Sequence, residues 1–155
     1  MIMQIRPASD VKELAAVRTL FEEYSATIRV ELCFQGFGQE LATLPGSYAP
    51  PRGRLLLAGP TDLPAGCVGL RPAGDAICEM KRLFVRPTCQ GRGLGRALAE
   101  RAIAEARTIG YSTMVLDSLP SMQRAIRLYE ALGFVRRSAY YVSPLPGTVF
   151  MELSL

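Results

Sequence analysis

The segment Val85-Arg86-Pro87-Thr88-Cys89-Gln90-Gly91-Arg92-Gly93-Leu94-Gly95-Arg96 joins an apolar run to a basic helical pattern through glycines at alternate positions. Glycine reaches backbone angles that aim successive N–H groups at one anion and lets that anion come close. A helix N-terminus adds the positive end of its dipole. Strand, turn and helix must therefore follow one another directly, in a phosphate-cradle layout whose ordinary alternative is a plain glycine-rich loop. The spacing is G-x-G-x-G and lies past mid-chain, so it is not the G-x-G-x-x-G of a first Rossmann turn. A Walker A loop would need Gly-Lys-Ser or Gly-Lys-Thr, which is missing.

Periodicity supplies the rest of the architecture. Residues 3–7 read as a short strand, and Ser9 or Asp10 can cap a helix carrying Val11, Leu14, Ala15, Val17, Leu20 and Phe21 at helical spacing. From 29 to 52 glycines and prolines break the pattern, leaving room for one short helix near 39–44 in a long connection of functional length. Strands are expected over 54–58, 66–71 and 76–85 as an antiparallel meander. In the last of these Ile77, Leu83 and Val85 fall on one alternation and Cys78, Met80 and Phe84 on the other, with Glu79 as the anomaly. A helix over 94–108, a strand over 111–116, a helix over 121–132 and strands over 135–142 and 148–153 complete the chain. The order predicts a single α/β domain over residues 1–155: a mixed, mostly antiparallel central sheet with helices on both faces.

Composition narrows the chemistry. At 155 residues, 49% hydrophobic and 21% charged, the chain has ordinary globular usage. No apolar run approaches the roughly 20 residues that span a bilayer and the start lacks a signal-peptide layout, so no membrane partner and a cytoplasmic location are expected. Histidine is absent, which removes the commonest general base and every His-dependent triad. Cys33, Cys67, Cys78 and Cys89 form no C-x-x-C pair, so no metal site is expected. The net charge is +4, and six arginines lie between Arg82 and Arg107 against Glu100 and Glu105, an excess that suits a phosphorylated cofactor, a nucleic acid or simply a solvated helix face.

Gln90-x-x-Gly93-x-Gly95, preceded by Val85 and Pro87, resembles the acetyl-CoA signature of the GNAT superfamily of N-acetyltransferases. The resemblance extends over nearly the whole chain, through Glu79-Met80-Lys81-Arg82-Leu83-Phe84-Val85 and the later Ala125-x-x-Leu128-Tyr129-x-x-Leu132-Gly133-Phe134. It implies the GNAT fold, acetyl-CoA as cosubstrate, backbone amides across Gln90, Gly91, Arg92, Gly93, Leu94, Gly95 and Arg96 on the pyrophosphate, and Leu83, Phe84 and Val85 beside the pantetheine arm. Periodicity alone makes Tyr129 a half-buried core residue, whereas the resemblance implies a hydroxyl aimed at the CoA sulfur as general acid. Glu79 is either a paired structural carboxylate or the base that acts on the amine. Asp117 either recognises a cationic substrate or caps the following helix. Tyr140 and Tyr141 are candidates for the acceptor pocket, although paired aromatics in a strand more often pack. In many relatives an asparagine stands three residues before the alanine of this last helix, and here that position is Met122.

The function expected is transfer of acetyl from acetyl-CoA to a primary amine of a small molecule, in a ternary complex and without a nucleic-acid partner. A homodimer is compatible with the resemblance. Alternatives are acetylation of a protein N-terminus or lysine, and an inactive acetyl-CoA-binding module. The 29–52 connection, with Phe34, Phe37 and Tyr48, reads as a lid over a compact pocket rather than a side of an open groove.

Overall fold

The structure is a computed structural model that describes residues 3–28 and 36–155; Cys33 and Phe34 lie outside the described residues. The elements run β1 (Ile5–Pro7), α1 (Val11–Ile28), α2 (Phe37–Ala42), β2 (Arg54–Ala58), β3 (Gly66–Pro72), β4 (Ile77–Val85), α3 (Leu94–Ile109), β5 (Thr113–Ser118), α4 (Gln123–Ala131), β6 (Val135–Arg137) and β7 (Val149–Ser154). They form a sheet in the order β1-β2-β3-β4-β5-β7-β6, antiparallel throughout except where β4 lies parallel to β5.

Two apolar clusters cover the two faces of this sheet. Under α3 and α4, Leu98, Ala102, Ile126 and Tyr129 pack on Leu56, Val68, Met80 and Met151. Under α1, Val17, Leu20 and Phe21 pack on Leu55, Leu57, Cys67 and Phe84. Asp10, not Ser9, caps α1: its Oδ1 accepts from the Glu13 amide at 2.7 Å, while Glu13 Oε1 accepts from the amides of Ser9 and Asp10. This reciprocal pairing satisfies donors that a helix start leaves over.

The expected alternation of β4 is corrected by a bulge. Cys67 pairs with Phe84 and Gly69 with Lys81, so Val68 alone faces both Arg82 and Leu83. Arg82 takes up the extra length at φ 61°, a conformation usually left to glycine. One added residue reverses the phase of everything beyond it. Leu83 and Val85 thus join Cys78 and Met80 on the α3 and α4 side, while Phe84 turns under α1.

The final strands also depart from expectation. β6 ends at Arg137, because residues 138–148 leave the ladder and pass through Pro144 and Pro146, which have no N–H to donate. Tyr140 and Tyr141 leave with them and reach back across the sheet. β5 is displaced toward Ser118, and Tyr111 instead packs in the core with its hydroxyl donating to the Arg52 carbonyl at 2.7 Å.

Tyr48, in the connection from α2 to β2 and only 1% exposed, packs against β3. Gly69 makes room for it: a Cβ there would stand 2.6 Å from Tyr48 Cε1. Gly69→Ala should destabilise the fold by about 1–3 kcal/mol through overpacking, seen as a lower urea midpoint with an unchanged m-value. An unaltered midpoint would mean that the ring is not held where the structure puts it.

Candidate active site

β4 and β5 pair only from Ile77–Glu79 to Thr113–Val115, then diverge although both strands continue. The gap opens between α3 and α4 into a cleft of about 570 Å³. Leu83, Val85, Gln90, Gly91, Gly93, Leu94 and Gly95 line one wall. Phe84, Arg92 and Arg96 do not: Phe84 packs edge-on to Tyr24 under α1, while Arg92 and Arg96 are exposed, Arg96 pairing with Glu100 at 3.2 Å. Gly91 and Gly93 adopt φ 81° and 77°, and a Cβ on either would meet nothing within 4 Å, so their conformation keeps open space in front of the helix start. The first α3 bond with its donor inside the helix runs from Ala97 to Gly93 O, and the amides of Leu94, Gly95 and Arg96 at the dipole's positive end have no partner among the described residues. The site therefore fits a pyrophosphate.

The opposite wall comes from the start of α4 and includes Met122, Ala125 and Arg124. Met122 is the first flanking residue of this helix and offers no side-chain cap, so the polar contact that asparagine would give is replaced by a thioether. Arg124 was not anticipated. A cation in the first turn of a helix opposes the local dipole, which is the signal in the sequence that could have marked it.

Beyond the cleft lies a small cavity of about 40 Å³ lined by Tyr129, Asp117 and Met122 among others. It shares Leu83 and Met122 with the cleft, and it shares Lys81 and Tyr141 with a third cavity of about 540 Å³ on the other side. Glu79, Arg71, Tyr140 and Tyr141 line that third cavity. Tyr129 is buried against Phe134 in the core, as periodicity expects, and its side also lines this cavity. Burial, helped by the nearby Asp117 carboxylate, pushes the Tyr129 phenol well above its ordinary range and keeps it a proton donor.

A cluster of buried charges binds the acceptor side together. Glu79 Oε1 accepts from Arg71 Nε at 2.9 Å and Glu79 Oε2 accepts from the Tyr140 hydroxyl at 2.5 Å. Asp117 accepts from Lys81 Nζ at 3.2 Å and from the Tyr141 hydroxyl. Glu40 accepts two bonds from Arg82, at 3.0 and 3.1 Å, and lies 3.7 Å from Arg71. Burial alone would raise the Asp117 carboxyl, but Lys81, Tyr141 and Arg82 outweigh it and hold the group below the ordinary carboxylate range. Burial likewise lowers the Lys81 ammonium, against the pull of Asp117 and Glu79. Asp117 makes no cap to α4, so of its two expected readings the capping one fails. Arg71, Lys81, Arg82 and Glu40 were missed as site residues. Glu79 and Lys81, two apart on a covered strand, carried the signal that one face of β4 is charged.

Residues 17–134 match the Acetyltransferase (GNAT) family. An uncharacterized N-acetyltransferase of Schizosaccharomyces pombe is 39% identical over 146 residues, covering 93% of this chain and 90% of the relative. Among solved structures, an acetyltransferase from Streptococcus agalactiae superposes with a TM-score of 0.81 at 22% identity, covering 99% of this chain and 98% of that one. A second, yncA of Salmonella typhimurium, a putative acetyltransferase determined with its cofactor acetyl-CoA, has a TM-score of 0.73 at 24% identity, covering 99% and 94%. Sequence, fold and the glycine-lined cleft converge: the chain belongs to the GNAT family of acetyltransferases.

Proposed function

We propose that the chain transfers acetyl from acetyl-CoA to the primary amine of a small molecule by direct attack with both substrates bound. The observation that carries this reading is the junction cavity, which holds Tyr129 and shares walls with the glycine-lined cleft on one side and the charged cavity on the other. Acetyl-CoA supplies the acetyl group as a thioester. The amides at the start of α3 hold its pyrophosphate, Arg124 adds charge from the facing wall, and Leu83 and Val85 border the pantetheine. Phe84 has only its backbone to offer there.

The acceptor enters through the cavity of Glu79, Arg71 and the two tyrosines. Its volume, about 540 Å³, is in the range of small-molecule pockets rather than of an extended peptide groove. The amine nitrogen forms a bond to the carbonyl carbon, the carbon–sulfur bond breaks, the nitrogen gives up a proton and the departing sulfur gains one. Glu79 lines the acceptor cavity and Asp117 does not, so we assign the first proton to Glu79. Tyr129 serves the sulfur. With ordinary values, phenol to thiolate transfer is uphill by roughly 2 kcal/mol, and burial of the phenol adds to that. Tyr129 therefore acts as a positioned hydrogen-bond donor whose bond strengthens as charge builds on sulfur.

Two substitutions test these assignments. A Cβ at Gly93 would meet nothing within 4 Å, so Gly93→Val acts by putting methyls in front of the amides and by straining a backbone at φ 77°. Acetyl-CoA affinity by calorimetry should fall at least about tenfold. Gly110→Val, also at positive φ with open space around it, carries the strain away from the cleft and should leave that affinity unchanged. Equal affinities for the two variants would remove the turn from the binding site. Tyr129→Phe should lower single-turnover rates by about 10²–10³ at saturating acetyl-CoA with little change in KM, whereas an unaltered rate would leave water as the proton source.

A further inference from the structure

The buried stripe of α1 runs through Val17, Leu20 and Phe21, and the next positions on it at helical spacing are Tyr24 and Ile28. A residue on that stripe is aimed at the sheet. At the level of Tyr24 the sheet has already opened, because β4 and β5 part after Glu79 and Val115. Tyr24 and Ile28 therefore line the junction cavity from the α1 side, while Tyr129 lines it from the α4 side. Helices on opposite faces of the sheet thus each place a phenol at one opening of about 40 Å³.

Packing explains the Tyr24 ring and not its hydroxyl. The ring stands edge-on to Phe84 with 6.2 Å between centroids, a contact that phenylalanine would make as well. Around the cavity, the hydroxyls of Ser118, Tyr141 and Thr148 donate to Leu119, Asp117 and Leu145, whereas those of Tyr24 and Tyr129 make no hydrogen bond among the described residues. The Lys81 ammonium donates to Asp117 and the Arg82 guanidinium to Glu40. Burial pushes the Tyr24 phenol up, with Arg82 opposing and Asp117 adding to it, and the same Asp117 carboxylate raises Tyr129. Both phenols therefore stay protonated near neutral pH and both are donors.

Acetyl transfer builds negative charge at two atoms, the carbonyl oxygen as the amine adds and the sulfur as it departs, and a donor aimed at each lowers the barrier. Tyr129 meets the second need. The cleft lies on the α3 and α4 side, so a thioester that reaches the junction from it brings sulfur to Tyr129 and carries its carbonyl onward, toward α1. We propose that Tyr24 is a catalytic residue that donates a hydrogen bond to the thioester carbonyl oxygen. The bond strengthens as nitrogen joins the carbonyl carbon and the oxygen gains charge. It relaxes when the carbon–oxygen double bond re-forms and the carbon–sulfur bond breaks. Tyr24 keeps its proton throughout, so the proton balance of the transfer is unchanged. This rests on the transferase reading and adds a group to it.

The test reads the carbonyl directly. Acetyl-CoA isotopically labelled at the carbonyl carbon is bound without acceptor, and the infrared difference from the unlabelled complex gives the carbonyl stretch. In the wild-type complex it should lie at lower frequency than in free acetyl-CoA. Tyr24→Phe, which keeps the ring on Phe84, should move it back toward the free value at unchanged acetyl-CoA affinity, and Tyr129→Phe should leave it in place. Single turnover uses the amine that releases thiol fastest among amino acids, polyamines, aminoglycosides and short peptides, and there Tyr24→Phe should be slower by about 10². A stretch unshifted in the wild-type complex, or one that Tyr24→Phe does not move, would overturn the proposal and leave the transferase reading standing. So would an equal change in both variants, since a general loosening of the cavity acts on either, or a Tyr24→Phe rate equal to that of the wild type. Thiol release with none of these amines, in a protein that still binds acetyl-CoA, would overturn the transferase reading and this assignment with it.

Discussion

The bulge at Arg82 is the constraint on which the site depends. A non-glycine residue at φ 61° costs on the order of 1–2 kcal/mol, and such strain persists only where its surroundings determine it. Here the two bonds to Glu40 and the Phe37 ring 5.0 Å from the guanidinium fix the side chain. Because of the added residue, β4 shows charged Glu79 and Lys81 to one side before the bulge and apolar Leu83 and Val85 to the other side after it. One strand thereby borders both the acceptor cavity and the cleft. The divergence from β5 begins just before this point, so the junction opens where the strand changes phase.

The charge cluster then does what a helix or a sheet edge cannot. Residues 138–148 carry no regular structure, yet Tyr140 and Tyr141 are fixed by the carboxylates of Glu79 and Asp117 and pack edge-on to Phe150 at 5.2 Å. Buried ion pairs contribute little net stability, since desolvation offsets most of their attraction, but removing one partner leaves an uncompensated charge costing about 3–5 kcal/mol. Their value here is placement. Lys81 bridges the diverging strands to Asp117 and stands 3.9 Å from Glu79, so the two carboxylates are tied to each other through one ammonium.

Most of the architecture was legible because periodicity and turn residues carried it. The strand over 54–58 and the start of α3 at Leu94 appear as read, and the glycines at 91 and 93 take the positive φ that their spacing implied. The phase change in β4 was not legible, since an arginine gives no sign that it will occupy a glycine's conformation. The early end of β6 was only partly so: Pro144 and Pro146 announce a break, but the departure of Tyr140 and Tyr141 is set by Glu79 and Asp117, distant in sequence. For the same reason Glu40, Arg71 and Arg82 could not be assembled into one cluster from spacing. Tyr129 was ambiguous in the sequence because it packs in the core and also borders a cavity.

Burial fixes the protonation states at the junction. Tyr129 is pushed above its ordinary range and Asp117 is held below its own, so neither changes charge near neutral pH. With no histidine in the chain, the usual switch between pH 5 and 8 is missing as well. The proton that must move is then the acceptor's own, since an ammonium has no lone pair to attack with. Under the transferase reading, the site needs to hold an amine long enough for one proton to leave, near a Tyr129 hydroxyl that burial keeps protonated.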